Sequence, residues 1–425
     1  MNLRRNVAMA TLGNLAPPTL ALVTQPLLAQ GLGVDGRGAA AAGVAPLMIA
    51  VSLGALGLPE SLNRSVAQKA LGVRASVMVL GVLALVGALA TGVIWSVSGH
   101  LSAGSQEALS GIRLAALFVA PALVFQGLRG IAAGMDLWGS IAVARSSQSL
   151  LLLILVVYGV VDATLTVASA VTALALAQCA GGIVLGIAVY CKRKTLRVTQ
   201  EPIARRDFLS YAWTIWLGAA AGYLLVRLDQ LLIAPLSSLE QLGLYAVAVS
   251  ISEVVLVANA GLREVIFSAE SATRDPVRVT NATRLSNLVV MLLSGAAALV
   301  APVLIEPLFG ADFSRALPMV MLLLAAVVVG NPGSVSGMAL AAWGSPGLRS
   351  LSISIALAVN IIGIVLLVPG HGGVGAAIAT FAGNGVAMVM VLASMKYAFG
   401  VRPSEFIVPR RGDLASLVKA IRRRR

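Results

Sequence analysis

Charge is scarce in this sequence. Only 11% of its 425 residues are Asp, Glu, Lys or Arg, against about 25% in soluble domains, while 58% are hydrophobic. That balance excludes a soluble globular protein and points to a polytopic membrane protein. Cysteine is nearly absent. Cys179 and Cys191 lie 12 residues apart on one predicted helix, roughly 18 Å along its axis, too far for a disulfide. Histidine is equally sparse: His100 and His371 fall in separate loops, which argues against a His-based metal site or catalytic triad. No P-loop, G-x-S-x-G or H-E-x-x-H occurs. Residues 31–36 match G-x-G-x-x-G, but they follow an apolar helix and not a strand, so a turn is the better reading than a dinucleotide fingerprint. Nor do two carboxylates sit together in an outer loop, as a membrane glycosyltransferase would need. The sequence therefore reads as a non-enzyme, with no cofactor and no metal.

Long apolar runs are abundant. Twelve helical segments are expected, near residues 8–30, 39–58, 75–98, 112–133, 145–161, 165–190, 211–236, 242–262, 285–306, 316–342, 351–368 and 374–396. The run 8–30 is interrupted by Asn14, Pro17, Pro18 and Gln25 and lacks a cleavage motif, so a retained, Pro-bent first helix is expected rather than a signal peptide. The fold class is all-α.

The sparse charge is unevenly placed. With a cytoplasmic N-terminus, 27 of the 31 Lys and Arg fall on the cytoplasmic side. Arg37, Arg113 and Arg315 fall outside, and Arg227 lies within a helix. This asymmetry is the positive-inside pattern. It accounts for the net charge of +14 through orientation against anionic lipids at the cytoplasmic face, and implies no nucleic acid. A multi-pass protein of the cytoplasmic membrane with both termini in the cytoplasm is expected. The basic stretch 192–206 divides the chain into six-helix lobes at 1–191 and 207–396, with a basic tail at 397–425. In that tail, residues 413–421 have the spacing of an interfacial helix. The lobes repeat weakly: Asp35-Gly-Arg-Gly38 corresponds to Glu240-Gln-Leu-Gly243, 205 residues on. A parallel repeat places a substrate path between its halves.

The candidate site residues centre on 213–233. Trp216, Ala220, Tyr223 and Arg227 share one helical face, an aromatic and cationic wall. Gly218, Gly222, Leu225 and Asp229 share another, suited to close helix packing. Charges at such depth usually face a cavity or a partner. Glu253, at a depth near Arg227, suits either an ion pair with it or a proton-coupling role. Gln25, Gln126, Gln178, Asn331, Asn360 and Asn384 are polar residues near helix centres, candidates for interhelical bonds or ligand contacts. Gly330-Asn-Pro-Gly333 is expected to break its helix.

Several stretches resemble one family. They are Leu308-Phe-Gly-Ala-Asp-Phe313, Asn360 within 358–361, the proline-glycine turn 368–380, Leu228-Asp-Gln-Leu-Leu232, Gly243-Leu-Tyr-Ala246 and the first outer loop 32–38. They are similar to the polysaccharide flippases (Wzx-type) of the multidrug/oligosaccharidyl-lipid/polysaccharide exporter superfamily. Most members have Asp followed by Arg in the seventh helix, whereas here the order is Arg227-Leu-Asp229. The resemblance implies a V-shaped, two-lobed transporter that moves an undecaprenyl-diphosphate-linked oligosaccharide between leaflets by alternating access. Substrate contacts would come from Arg227, Tyr223, Trp216, Gln25, Asn331 and Asn360, and coupling or an ion pair from Glu253 and Asp229. Glycosyltransferases or a polymerase of the same pathway would be further partners. The rivals are a lipid-linked peptidoglycan-precursor flippase and a cation-coupled multidrug exporter of the same superfamily. Reporter fusions should place residues 192–206 and 397–425 in the cytoplasm and 100–111 outside. An outside signal from 192–206 would overturn the orientation.

Overall fold

The computed structural model describes residues 3–196, 198 and 203–407, with the side chains of 3–16, 195 and 257–273 outside that description. The tail stretch 413–421 and linker residues 197 and 199–202 therefore lie outside the described residues. Those described are mostly helical, with no strand among them. In chain order the helices are α1 (Leu3–Gly54), α2 (Leu58–Ala67), α3 (Val73–Leu101), α4 (Gln106–Ala116), α5 (Val119–Gly134), α6 (Trp138–Val161) and α7 (Val167–Cys191). Then follow α8 (Arg205–Leu236), α9 (Leu239–Thr273), α10 (Pro276–Phe309), α11 (Leu317–Ala342), α12 (Pro346–Phe399) and α13 (Ser404–Ile407).

Nine helices among the described residues are long and apolar enough to cross a membrane, and α4 with α5, bent by 42°, makes a tenth span. Two of the nine, α1 and α12, are each two helices joined at one non-helical glycine, Gly33 (φ 68°) and Gly372 (φ 55°). The twelve expected spans are thereby accommodated. The chain is an all-α, multi-pass membrane protein.

The breaks correct the sequence reading in detail. The separation expected between 30 and 39 narrows to Gly33, whose positive φ only glycine adopts without strain. Asp35 to Gly38 are already helical. The helix expected to begin at 145 starts seven residues earlier, at Trp138. The break expected at Gly330 to Gly333 does not occur: α11 runs through Pro332, and Ser336 Oγ donates to the Pro332 carbonyl at 2.6 Å.

The chain forms two compact units. The first comprises Met1–Ala246 with Leu308–Asp312, and the second Val247–Pro307 with Phe313–Arg425. The first unit has a buried core around Leu62, Leu83, Ile112, Leu123 and Leu185. There α8 lies against α1 and α2: Ser61 Oγ donates to the Phe208 carbonyl at 3.1 Å, and the Arg64 guanidinium sits 4.3 Å over the Tyr211 ring. In the second unit, α13 inserts the fully buried Phe406 into a core with Val279, Val335, Trp343 and Met395. Arg284, buried on α10, fastens that end by donating to the Glu405 carbonyl at 2.6 Å. Large apolar side chains elsewhere stay exposed, such as Leu89 on α3, Leu299 on α10 and Leu366 on α12. That is how a bilayer-facing surface reads, since lipid supplies no hydrophobic drive to bury it.

Inside lipid, helices associate through close packing of small residues. The tightest approach in the first unit is reciprocal. A Cβ added to Gly38 would lie 1.9 Å from the Leu239 carbonyl oxygen, and one added to Gly243 would lie 2.1 Å from the Val34 carbonyl oxygen. Leu239 follows Val34, and Gly243 follows Gly38, by the same 205 residues. The weak sequence repeat is thus a pair of backbone contacts related by local two-fold symmetry. By contrast, a Cβ at Gly222 would meet no atom within 4 Å, so the close packing expected at Gly218 and Gly222 is not made at Gly222. Gly38→Val and Gly243→Val should each sharply reduce monodisperse protein in detergent, because each collides with backbone. Gly222→Ala should match wild type or gain up to about 1 kcal/mol from helix propensity. Size-exclusion profiles and thermal unfolding of the three variants check this.

Candidate functional site

One cavity in the first unit gathers polar side chains in an otherwise apolar setting. Its volume is about 370 Å³, within the usual range for ligand sites. The floor is the end of α1, through Leu47, Met48, Val51, Ser52 and Ala55, with Gly57, Pro59 and Glu60 at the start of α2. One face of α5 supplies Phe125, Gln126 and Arg129, at i, i+1 and i+4. Arg145 and Gln148 on α6 are one turn apart, and Gln178 comes from the middle of α7. The opposite wall is α8, through Ile215, Trp216, Ala219 and Tyr223, which recur at helical spacing.

Two guanidiniums and three carboxamides thus surround a space whose single carboxylate is Glu60. The formal excess is one positive charge, so the site favours an anion. Trp216 is held in place: its indole N–H donates to the Leu53 carbonyl at 2.7 Å, and its ring tilts against Trp213 with centroids 4.8 Å apart. The Gln126 Oε1 atom is buried and has no hydrogen-bond partner among the described residues. An unsatisfied buried acceptor costs about 1–3 kcal/mol, and a hydroxyl-bearing ligand relieves that cost.

The residues proposed from sequence are distributed differently from the single wall expected. Trp216 and Tyr223 line the cavity, but Arg227, one turn further, does not. Arg227 is half-buried and Ala220 is buried beside the wall. Asp229 is 3% exposed; it accepts a short hydrogen bond from the Tyr245 hydroxyl, and its other oxygen accepts the Gln230 N–H at 2.7 Å. Gln25 accepts from Arg37 at 2.6 Å on the other side of the Gly33 break. In the second unit, Asn331 donates to Ser286 Oγ at 3.1 Å and Asn287 Oδ1 at 3.4 Å, tying α11 to α10. Asn360, fully buried, donates to Thr380 Oγ1 at 3.5 Å across the two halves of α12. Glu253 is half-buried on α9. None of Gln25, Asn331, Asn360, Glu253 or Asp229 lines the cavity of the first unit.

Sequence reasoning missed Arg129 and Arg145, having counted both as cytoplasmic and Arg227 as the only intramembrane cation. The signal was present. Each arginine falls inside or at the edge of an expected apolar segment, and Gln126 and Gln148 precede or follow by one turn.

A model of the polysaccharide biosynthesis protein family matches residues 3–258. The chain belongs to this family. The match covers more than half of the chain and all of the helices that line the cavity. Among solved structures, the chain is similar to the lipid II flippase MurJ in an inward closed conformation (TM-score 0.74, 12% identity, 92% of this chain and 87% of that one). It is also similar to an inward-facing multidrug resistance MATE family transporter of the MOP superfamily (TM-score 0.71, 16% identity, 92% and 98%). A third is a MOP superfamily transporter from Pyrococcus furiosus, described by the reverse polarity of its binding pocket (TM-score 0.65, 15% identity, 93% and 95%). At these identities the likeness is one of fold. No curated protein sequence matches the chain. The family makes this a membrane protein of polysaccharide biosynthesis, and the solved structures show its fold.

The buried Asp229–Tyr245 contact has a direct consequence for stability. Tyr245→Phe should cost about 1–3 kcal/mol, since it leaves a buried carboxylate oxygen short of a donor. Phe with Asp229→Asn together should cost less than the sum of the two singles. Thermal unfolding of the detergent-solubilised protein measures both.

Proposed function

We propose that the chain flips an undecaprenyl-diphosphate-linked oligosaccharide from the cytoplasmic to the outer leaflet of the cytoplasmic membrane, by alternating access, for cell-surface polysaccharide synthesis. The observation that carries this reading is the pairing of Arg129 and Arg145 with Trp216 and Tyr223 around one cavity. A diphosphate needs cations in a low-dielectric site, and guanidinium binds phosphate oxygens with two parallel hydrogen bonds. The carboxamides of Gln126, Gln148 and Gln178 match sugar hydroxyls, and Trp216 offers a flat apolar surface for a ring face. A glycan with a diphosphate does not cross hydrocarbon unaided, so a polar lining is what such cargo requires.

Arg227 remains part of the proposal as a cation further along α8, one turn beyond Tyr223. Asn331, Asn360, Gln25, Glu253 and Asp229 enter it as residues that shape the spans around the pathway, with coupling through Glu253 or Asp229. A drug exporter of the same superfamily would extrude cations and favour carboxylates; the excess of arginine over carboxylate in the cavity argues against it. A peptidoglycan-precursor flippase shares the diphosphate chemistry and differs in the glycan.

Deleting the gene should leave lipid-linked oligosaccharide on the inner leaflet and remove a surface glycan; intact glycan with retained cationic dyes would favour the exporter. Arg129→Ala, Arg145→Ala and Arg227→Ala should each lower export by about ten- to a hundredfold with near-normal membrane insertion. Lysine at the same positions should rescue only partly. Full export by all three alanine variants would sink the reading.

A further inference from the structure

A second concave site, separate from the cavity above, lies where α3 meets α4. It is a groove of about 380 Å³ lined by Trp95, Gln106, Leu109, Ser110, Arg113, Leu114 and Leu117. Its polar end is built around Arg113. The Arg113 Nε donates to Ser98 Oγ at 3.3 Å, and the guanidinium lies 5.7 Å from the Trp95 ring centroid. The Trp95 indole N–H in turn donates to the Arg113 carbonyl at 3.3 Å. These contacts hold the guanidinium through its Nε, and among the described residues no carboxylate pairs with it. Trp95 and Leu117 remain about half exposed.

The depth of this groove in a bilayer follows from helix length. The 29 residues of α3 span roughly 43 Å, against a hydrocarbon core of about 30 Å. Trp95 lies six residues before the end of α3, roughly 9 Å, at the level where aromatic side chains mark the headgroup boundary. Below it the same helix shows Leu85, Leu89 and Val93, each more than 60% exposed, a track for acyl chains. Arg113 is also one of three Lys or Arg on the side that the charge asymmetry makes external, so no general cationic field explains its position.

The geometry points to an anionic phospholipid, with its phosphodiester on the Arg113 guanidinium and its chains along α3. One guanidinium matches one phosphodiester. The groove's two neutral polar side chains, Gln106 and Ser110, suit a small headgroup such as glycerol, and its single guanidinium and lack of a carboxamide cluster set it apart from the first cavity with its two arginines and three glutamines. The lipid diphosphate cargo, with twice the phosphate and a glycan, is therefore not the occupant.

Tryptophan quenching tests this on the full-length protein in nanodiscs containing a small fraction of dibrominated lipid. Brominated phosphatidylglycerol should quench more than brominated phosphatidylcholine. The excess should approach about one fifth of the emission, since Trp95 is one of five tryptophans. It should disappear in Arg113→Gln and in Trp95→Phe, and fall with added salt. Equal quenching by the two lipids in wild type overturns the proposal whether or not the variants fold. So does an excess that survives Arg113→Gln. Displacement of the brominated phosphatidylglycerol by a stoichiometric amount of undecaprenyl diphosphate assigns the groove to the cargo instead and also overturns it.

Discussion

Hydrocarbon offers no hydrogen-bond partner, and this constraint orders nearly every polar residue in the molecule. Asp229 is bonded to Tyr245, Asn331 to Ser286 and Asn287, and the amide nitrogen of Asn360 to Thr380. Serine and threonine hydroxyls repeatedly turn back to carbonyls one turn earlier, as Ser336 does to Pro332. Buried atoms without a partner among the described residues remain in both units, Gln126 Oε1 in the first and Asn360 Oδ1 and Ser294 Oγ in the second. What sets the first unit's cavity apart is the gathering of Gln126, Arg129, Arg145, Gln148 and Gln178 around one space.

The pattern explains why the sequence disclosed some features and hid others. Apolar runs of about twenty residues report the spans directly, because the bilayer demands them whatever the tertiary packing. The glycine repeat at Gly38 and Gly243 was legible as a short motif, and its contact partners Val34 and Leu239 keep the same spacing. What periodicity cannot reveal is which polar residue at mid-depth finds a partner. Trp216 and Arg227 share a helical face, yet the cavity takes the first and not the second, since its wall ends near Tyr223. Asn331 and Gln126 are alike in hydropathy and depth. One is tied into a neighbouring helix and the other carries a carbonyl with no partner.

Arg129 and Arg145 were hidden for a related reason. Each lies near the boundary of an apolar segment, where a charge count assigns it to a loop. Snorkelling is the usual fate of such residues. Here the gathering of α2, α5 and α6 around the end of α1 turns them inward instead, which depends on contacts distant in sequence.

The reciprocal crossing of Val34–Gly38 with Leu239–Gly243 has the form of an isologous interface, in which the same patch serves both partners. In a true homodimer any substitution there acts twice, and both sides must stay identical. Within one chain the constraint is halved: each copy answers only for its own residue. Covalent fusion therefore keeps the geometry of a symmetric pair while freeing its members to specialise. The concentration of arginine and glutamine around one cavity, without a counterpart demanded by symmetry, is the kind of divergence that such an arrangement permits.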